Sequence, residues 1–413
     1  MKTKILYAGL LALSLAVVTS CHDEKKDLMK MSDMTVSYTA PANVTATEIT
    51  NVKITMKNLS TGQSKEYKYE SISAPVTIQV EEGLYNIELE GNIKYMLNGK
   101  EVTSVIRGSK ESVKAVGAVS ISLETYFHTV KEGFVFAEIF LSGTRTPEGK
   151  TYTGDSYFRI VNNSDETLYA DGLCLFESDF QTDMKQNYTP DIMNQAMTVA
   201  TGFMVPGDGT QYPVKPGESL LICDNAINHK NINPNSFDLS HADFEWWAES
   251  SNPDFTDSDN PEVPNLIPVM KKSATLWQPH TRGVKAYALA YLNDGVNRIT
   301  SEQFVANYRY DYKWLFVFND FQTEMEGSGY MLPNGWVVDA VNLSPSTGPQ
   351  WLVTDPSLDK CYASVSAIDF DENRFGKCVR RKVDAGTHKL VDTNDSSADF
   401  ENRVEADPNH VFK

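Results

Sequence analysis

Between Met34 and Tyr126 apolar and polar residues alternate with a period of two. EITNVKITMKN (48–58), APVTIQVEE (74–82) and LYNIELEGNIKYML (84–97) each place an apolar side chain at about every second position. Strands with one buried and one wet face show this pattern. The runs break at Ser60-Thr61-Gly62, Glu82-Gly83 and Asn98-Gly99. Asn-Gly suits a two-residue hairpin, because both positions tolerate positive φ. The spacing predicts a first β-sandwich over 34–126. HTVKEG (128–133) follows as a linker. From 132 to 413 short strand-like runs recur between Gly, Asn, Asp and Pro, which predicts a second all-β unit. Cys174 (LCLF) and Cys223 (LLICD) sit in apolar runs. YRYDYKWLFVF (308–318) alternates, so about half its rings should enter a core.

The first residues follow a different pattern. Lys2 and Lys4 precede an apolar stretch from Leu6 to Val18, too short for a spanning helix, which needs about 20 apolar residues. Small residues then lead to Cys21, in VTSC. Residues 1–20 have the form of a secretory signal peptide. They resemble the bacterial lipoprotein signal, which implies cleavage before Cys21, diacylation of its thiol and acylation of the new amine. Residues 21–33 then form an acylated cysteine and a tether. The tether opens HDEKKD, a charged stretch that cannot pack. Acids placed so close to the lipid resemble the surface-export signal of Bacteroidetes-type lipoproteins. The implied location is the outer membrane, facing outward.

Composition narrows the functional classes. The formal charge is −18, and loss of Lys2 and Lys4 with the leader makes it −20. Such a chain offers no general electrostatic case for nucleic acid. The 41% hydrophobic content supports real cores. Four cysteines besides Cys21 allow two disulfides or buried free thiols, and their wide spacing excludes a CxxC metal motif.

Two family resemblances rest on specific residues. Val80-Glu-Glu-Gly-Leu-Tyr85 resembles a turn of prealbumin-like or carboxypeptidase-regulatory-like sandwiches. In the second unit, Glu138-Ile139 followed by Phe158, Ile160, Asn162 or Asn163, Ser164, Leu168, Asp171, Gly172 and Leu173 resembles the lamin-tail domain. Pro216–Ile222, Gly335–Val341 and Lys377–Lys382 with Asp392–Glu401 continue that pattern in order. The resemblance implies an immunoglobulin-like sandwich, with a large insertion at about 225–330. The fold expectation is thus all-β: two sandwiches, the second lamin-tail-like. The whole resembles lipoproteins of gut Bacteroidetes that accompany TonB-dependent outer-membrane transporters.

Candidate chemistry is sparse. No HExxH, G-x-S-x-G, P-loop or G-x-G-x-x-G occurs. The histidines are scattered, although His229, His241 and His280 share the expected insertion. Asp254, Asp257, Asp259 and Glu262 alternate oxygens as calcium loops do. The Gly and the closing Glu of an EF-hand are missing, and a solvated loop is the plainer reading. Asp392–Phe400 reads as a turn in which Asp and Asn bond their own backbone. Trp246, Trp247 and Trp277 are the candidate contacts for a ligand or partner, since aromatics supply rigid interface area. The expected function is a non-enzymatic binding or accessory subunit, with a transporter as partner and no required cofactor. A surface adhesin is the alternative, and a hydrolase a more distant one.

Overall fold

The computed structural model describes residues 30–41, 48–97, 100–127, 133–292, 298–318 and 321–412. Cys21, its leader and most of the predicted linker lie outside them. The first unit has seven strands: β1 (Met31–Thr39), β2 (Ile49–Asn58), β3 (Ser64–Ile72), β4 (Val76–Glu81), β5 (Gly83–Leu97), β6 (Lys100–Ala115) and β7 (Ala118–Phe127). They run β3-β2-β5-β6-β7-β1-β4. The path folds over where only Ile106 to Gly108 of β6 meet β7. The alternating positions converge there: Met34, Val36, Ile54, Met56, Ile87, Leu89 and Leu123 form the core. Leu97 pairs with Lys100, as a two-residue connection requires.

The second unit contains β8 (Phe134–Phe140), β9 (Tyr157–Asn162), β10 (Leu173–Ser178), β11 (Tyr188–Thr189), β12 (Ala196–Met204), β13 (Ser219–Cys223) and β14 (Phe244–Glu245). It continues with β15 (Ile267–Lys271), β16 (Ala286–Tyr291), β17 (Arg309–Phe318), β18 (Phe321–Pro333), β19 (Val337–Asn342), β20 (Lys377–Arg381) and β21 (Phe400–Glu405). A six-stranded sheet runs β14-β13-β9-β8-β20-β21. An eight-stranded sheet runs β11-β17-β18-β12-β10-β16-β19, with β15 also paired to β12.

Phe136, Phe158, Leu175, Phe203, Tyr287, Val341 and Val379 belong to one core that draws on both sheets. A second cluster takes Phe176, Met197 and Ala288 of the larger sheet together with Phe304 from helix α1 (Ser301–Tyr308). A third joins Phe140, Tyr157, Cys223 and Cys378 of the smaller sheet to Leu239. Strands β8, β9 and β10 are therefore buried at every position. That is why they read as continuous apolar runs rather than alternating ones.

The expected insertion at 225–330 does not stand apart. It supplies β14 to β17 and most of β18, and β16 lies between β10 and β19 in the larger sheet. Its sequence, AYALAY, is small and apolar on both faces, as a central strand needs. Gly327-Ser328-Gly329 lies within β18. A Cβ at Gly327 would stand 2.8 Å from the Tyr312 ring and 3.0 Å from the Trp314 ring. The glycines let those rings lie across the strand.

One guanidinium joins the two sheets. Arg381 of β20 donates to the Phe136 carbonyl of β8 at 2.7 Å and to Asp339 of β19 at 2.7 Å. It also reaches the Val391 carbonyl and the Asp392 carboxylate. Asp339 accepts a further bond from the Phe136 amide at 2.7 Å. Both side chains are almost completely buried. Removing one member of such a pair leaves the other charge under-compensated in a low-dielectric interior, although Asp392 at 3.2 Å and Asp399 at 3.6 Å would still face Arg381. Asp339→Asn should therefore lower unfolding free energy by about 3–5 kcal/mol, read from urea denaturation. A change under about 1 kcal/mol would show that the pair is dispensable.

Candidate functional site

Trp246 and Trp277 are not surface contacts. Their exposures are 1% and 4%. Their ring centroids lie 5.1 Å apart, and both rings pack on Phe158. This corrects the expectation for both residues. The physical reason is that the segment carrying them closes over the sandwich core. Trp247, the neighbour of Trp246 in the chain, is half-buried.

The acidic loop brings Asp257 near Asp259: burial, with the Asp259 charge adding to it, raises the Asp257 pKa. Asp257 accepts from the Ala248 and Ser258 amides, and Asp259 from the Asn265 side chain. Asp254 and Glu262 are exposed, each with its amide held by an asparagine side chain. Among the described residues no group of three or more His, Cys, Asp or Glu side chains is placed to hold a metal. Asp257 and Asp259 thus serve local bonds within the loop, and Asp254 and Glu262 are exposed.

The three histidines of this region do not converge either. The Nδ1 of His229 lies 2.7 Å from the Tyr152 hydroxyl, and His241 pairs with Asn409. His280 lies 3.3 Å from Arg282. Burial, with Arg282 and Lys285 close by, lowers the His280 pKa to about 4. Among the described residues Cys174, Cys223, Cys361 and Cys378 are free. Cys223 pairs with Tyr157, which pairs with Phe140, and Cys378 occupies the next strand over. Three strand spacings, roughly 14 Å, separate the two thiols, too far for a disulfide.

The motif charges are consumed by structure. Glu138 accepts from the Tyr157 hydroxyl at 2.5 Å, Arg380 at 2.5 Å and the Asp407 amide at 2.9 Å. Asp395 caps helix α2 (Ser396–Asp399), and Asp399 accepts from Thr393. Asp171 accepts from the Gly209, Gln211 and Tyr212 amides, which lower its pKa.

The β17–β18 hairpin differs. Tyr310, Tyr312 and Trp314 lie on one face of β17 and pack on the outer core. Tyr310 bonds Thr198 at 2.6 Å, and Tyr312 donates to Asp179 at 2.9 Å. Beyond Trp314 that support ends. Leu315, Phe316 and Val317 are 56%, 44% and 53% exposed, with Phe321 at 60% and Met325 at 41% across the ribbon. Beyond Trp314 the outer edge of β17 has no partner strand among the described residues; β11 pairs only with Lys313 and Trp314. This feature was missed in the sequence, where 308–318 reads as one alternating strand with about half its rings in a core. The signal was present: alternation stops at Trp314 and four apolar residues follow in a row.

The surface also holds a cleft of about 710 Å³ between the two units. Lys53, Glu90 and Arg107 line it from one side, and Ser357, Lys360 and Asp395 from the other. The two sides are mixed in charge, and Arg107 is already paired with Glu90 at 2.7 Å.

The neutral His280 makes a pH prediction. Its folded pKa lies below the unfolded value, so its contribution is present above pH 6.5 and is lost as pH falls towards 4. Asp369 opposes this shift and Arg374 adds to it. Relative to His280→Asn, the natural chain should lose melting temperature between pH 6.5 and 4. Parallel curves for the two proteins would refute this.

Residues 215–407 match the family model described as "Protein of unknown function (DUF4876)". The crystal structure of a DUF4876 family protein from Bacteroides thetaiotaomicron is similar to the chain, with a TM-score of 0.53 and 20% identity. The likeness covers 91% of this chain and 96% of that one, and at such identity it speaks for the fold. A comparison with curated proteins finds no match. The match to the DUF4876 model over 215–407 takes in three of the four motif blocks and leaves out the first, within an all-β fold similar to that of the Bacteroides protein.

Proposed function

We propose that this chain is a lipid-anchored protein of the outer membrane, facing outward. It acts there as a non-enzymatic binding or accessory subunit of a TonB-dependent transporter. The observation that carries this reading is the hairpin tip. Exposed contiguous apolar surface marks a contact with a protein or a membrane, and here it projects from a body whose motif charges are tied up in hydrogen bonds. The VTSC sequence and its charged tether supply the anchor, since several acyl chains hold where one binds only marginally. The resemblance to transporter-associated lipoproteins supplies the partner class.

Two measurements test the reading. Cys21→Ala should move the protein from the membrane pellet to the soluble fraction after a salt wash; retention in the pellet would remove the anchor. A gentle-detergent pull-down of the tagged native lipoprotein should bring a stoichiometric outer-membrane barrel. A protein recovered alone, from cells that express candidate transporters, would remove the subunit assignment.

A further inference from the structure

The first sandwich gathers its exposed apolar side chains at one end. The starts of β1, β5 and β7 and the ends of β4 and β6 meet there: Met31 pairs with Glu81, Gly83 with Ala115 and Asp33 with Ala118. The β2–β3 turn joins them, because the Leu59 amide donates to the Leu84 carbonyl at 2.8 Å. Met31 stands at the chain entry and Leu59 in that turn. Leu84 follows the β4–β5 connection, and Val116 lies between β6 and β7. Each is more than a third exposed, and no other large apolar side chain among the described residues of this unit is so exposed. Apolar residues scattered singly over a surface are ordinary, whereas four from separate segments at one end mark a contact.

This end is firmly built. The Asn58 side chain accepts from the Ser60 and Thr61 amides at 2.9 and 3.1 Å and donates to the Tyr85 hydroxyl at 3.2 Å. That hydroxyl donates to the Glu81 carbonyl at 2.9 Å. One buried amide thus holds the β2–β3 turn, β5 and the end of β4 together. Lys30, Lys57 and Lys114 are exposed, each within two residues of Met31, Leu59 or Val116. The described ion pairs of this unit use Lys53, Lys68 and Arg107, and none uses those three lysines. Glu81 and Glu82 share the end, and Asp33 there accepts from Gln79 at 3.0 Å. Charge is therefore near balance here, in a chain whose formal charge is −18. Apolar side chains with lysines beside them suit a surface that is apolar within and carries phosphate above.

The place where the chain enters selects the occupant. The Lys30 carbonyl accepts from the Glu82 amide at 2.8 Å, so the chain joins the sandwich at this end. Nine residues separate Lys30 from Cys21, a reach of at most roughly 30 Å. β7 runs from Ala118 at this end to Phe127 at the other, where the chain leaves for the second unit. A lipid on Cys21 would keep the entry end within that reach of the bilayer. We infer that the entry end of the first sandwich rests on the phospholipid surface. Met31, Leu59, Leu84 and Val116 meet the headgroup–acyl boundary, and Lys30, Lys57 and Lys114 lie among the headgroup phosphates. This rests on the membrane-anchored half of the proposed function and is independent of the transporter. The four side chains are few, so the contact is interfacial and orients a protein that its lipid already holds.

The test uses the chain beginning at His22, which keeps every described residue and has no acyl group. It is mixed with excess phosphatidylcholine vesicles and floated on a density gradient. The natural chain should float. The double variant Leu59→Ser/Val116→Ser should lose at least about tenfold in bound fraction, with an unchanged melting curve because both side chains protrude. Lys57→Glu/Lys114→Glu should also weaken binding. Leu59→Trp should add emission that brominated acyl chains quench beyond the quenching of the natural chain. A natural chain that stays at the bottom of the gradient, or a Leu59→Ser/Val116→Ser variant that floats equally well, overturns the inference. A chain beginning at Lys30 that floats where the chain beginning at His22 does not would show that residues 22–29 cover the patch, and overturns it too. Failure here, with Cys21→Ala still releasing the protein from the membrane pellet, removes the contact and leaves the anchor standing. Flotation of the natural chain, with Cys21→Ala retained in the pellet, does the reverse.

Discussion

The second unit depends on the burial of Arg381. A guanidinium has five donors in a fixed plane and cannot shed its charge. Placing it between two sheets is tolerable only if its donors find acceptors and its charge finds a counter-charge. Asp339 supplies the charge from the larger sheet. Phe136 supplies a carbonyl from the smaller one, and Val391 and Asp392 supply acceptors from the segment that follows β20. Strands 42 and 245 residues from Arg381 in sequence are thereby fixed in one arrangement. The Phe400 ring lies 4.6 Å from the guanidinium carbon and closes the site. Alternative packings of the sheets would leave these groups unsatisfied, so the pair contributes specificity through the cost of its absence.

The same logic explains the other motif charges. Glu138 is fully buried and takes three donors, from Tyr157, Arg380 and the Asp407 amide. Through the last bond it ties down the chain after β21. Arg159, on β9, donates to the carbonyls of Pro408 and His410 and holds that segment from below. The charged residues that look most like chemistry in the sequence are thus fasteners. The exposed feature that stands apart is a run of apolar side chains.

Much of the fold was legible because it follows from local patterning. The first sandwich alternates from Met34 onward, and its strands fall where the alternation places them. The motif blocks containing Glu138, Asp339, Arg381 and Asp399 mark strands and turns that do meet. The ion network among them was not legible, since spacing says nothing of which charges face inward. The role of 225–330 in the larger sheet was not legible, because AYALAY carries no turn or charge to mark it, and its place between β10 and β19 is a non-local fact. The candidate site was misread in a similar way. Trp246 and Trp277 have the composition of an interface, yet burial depends on what folds over them. The tip residues 315–317 lay inside a strand that was correctly expected to bury its rings. Only the loss of alternation separates the supported half from the projecting half.

The most direct test places a photo-reactive amino acid at Phe316 of the full-length chain in intact cells. The account predicts adducts with outer-membrane constituents, lost when Cys21→Ala frees the protein from the membrane. Adducts with soluble components alone, or a membrane adduct unchanged in the Cys21→Ala chain, would contradict the claim that the anchored chain meets its outer-membrane partner through the hairpin.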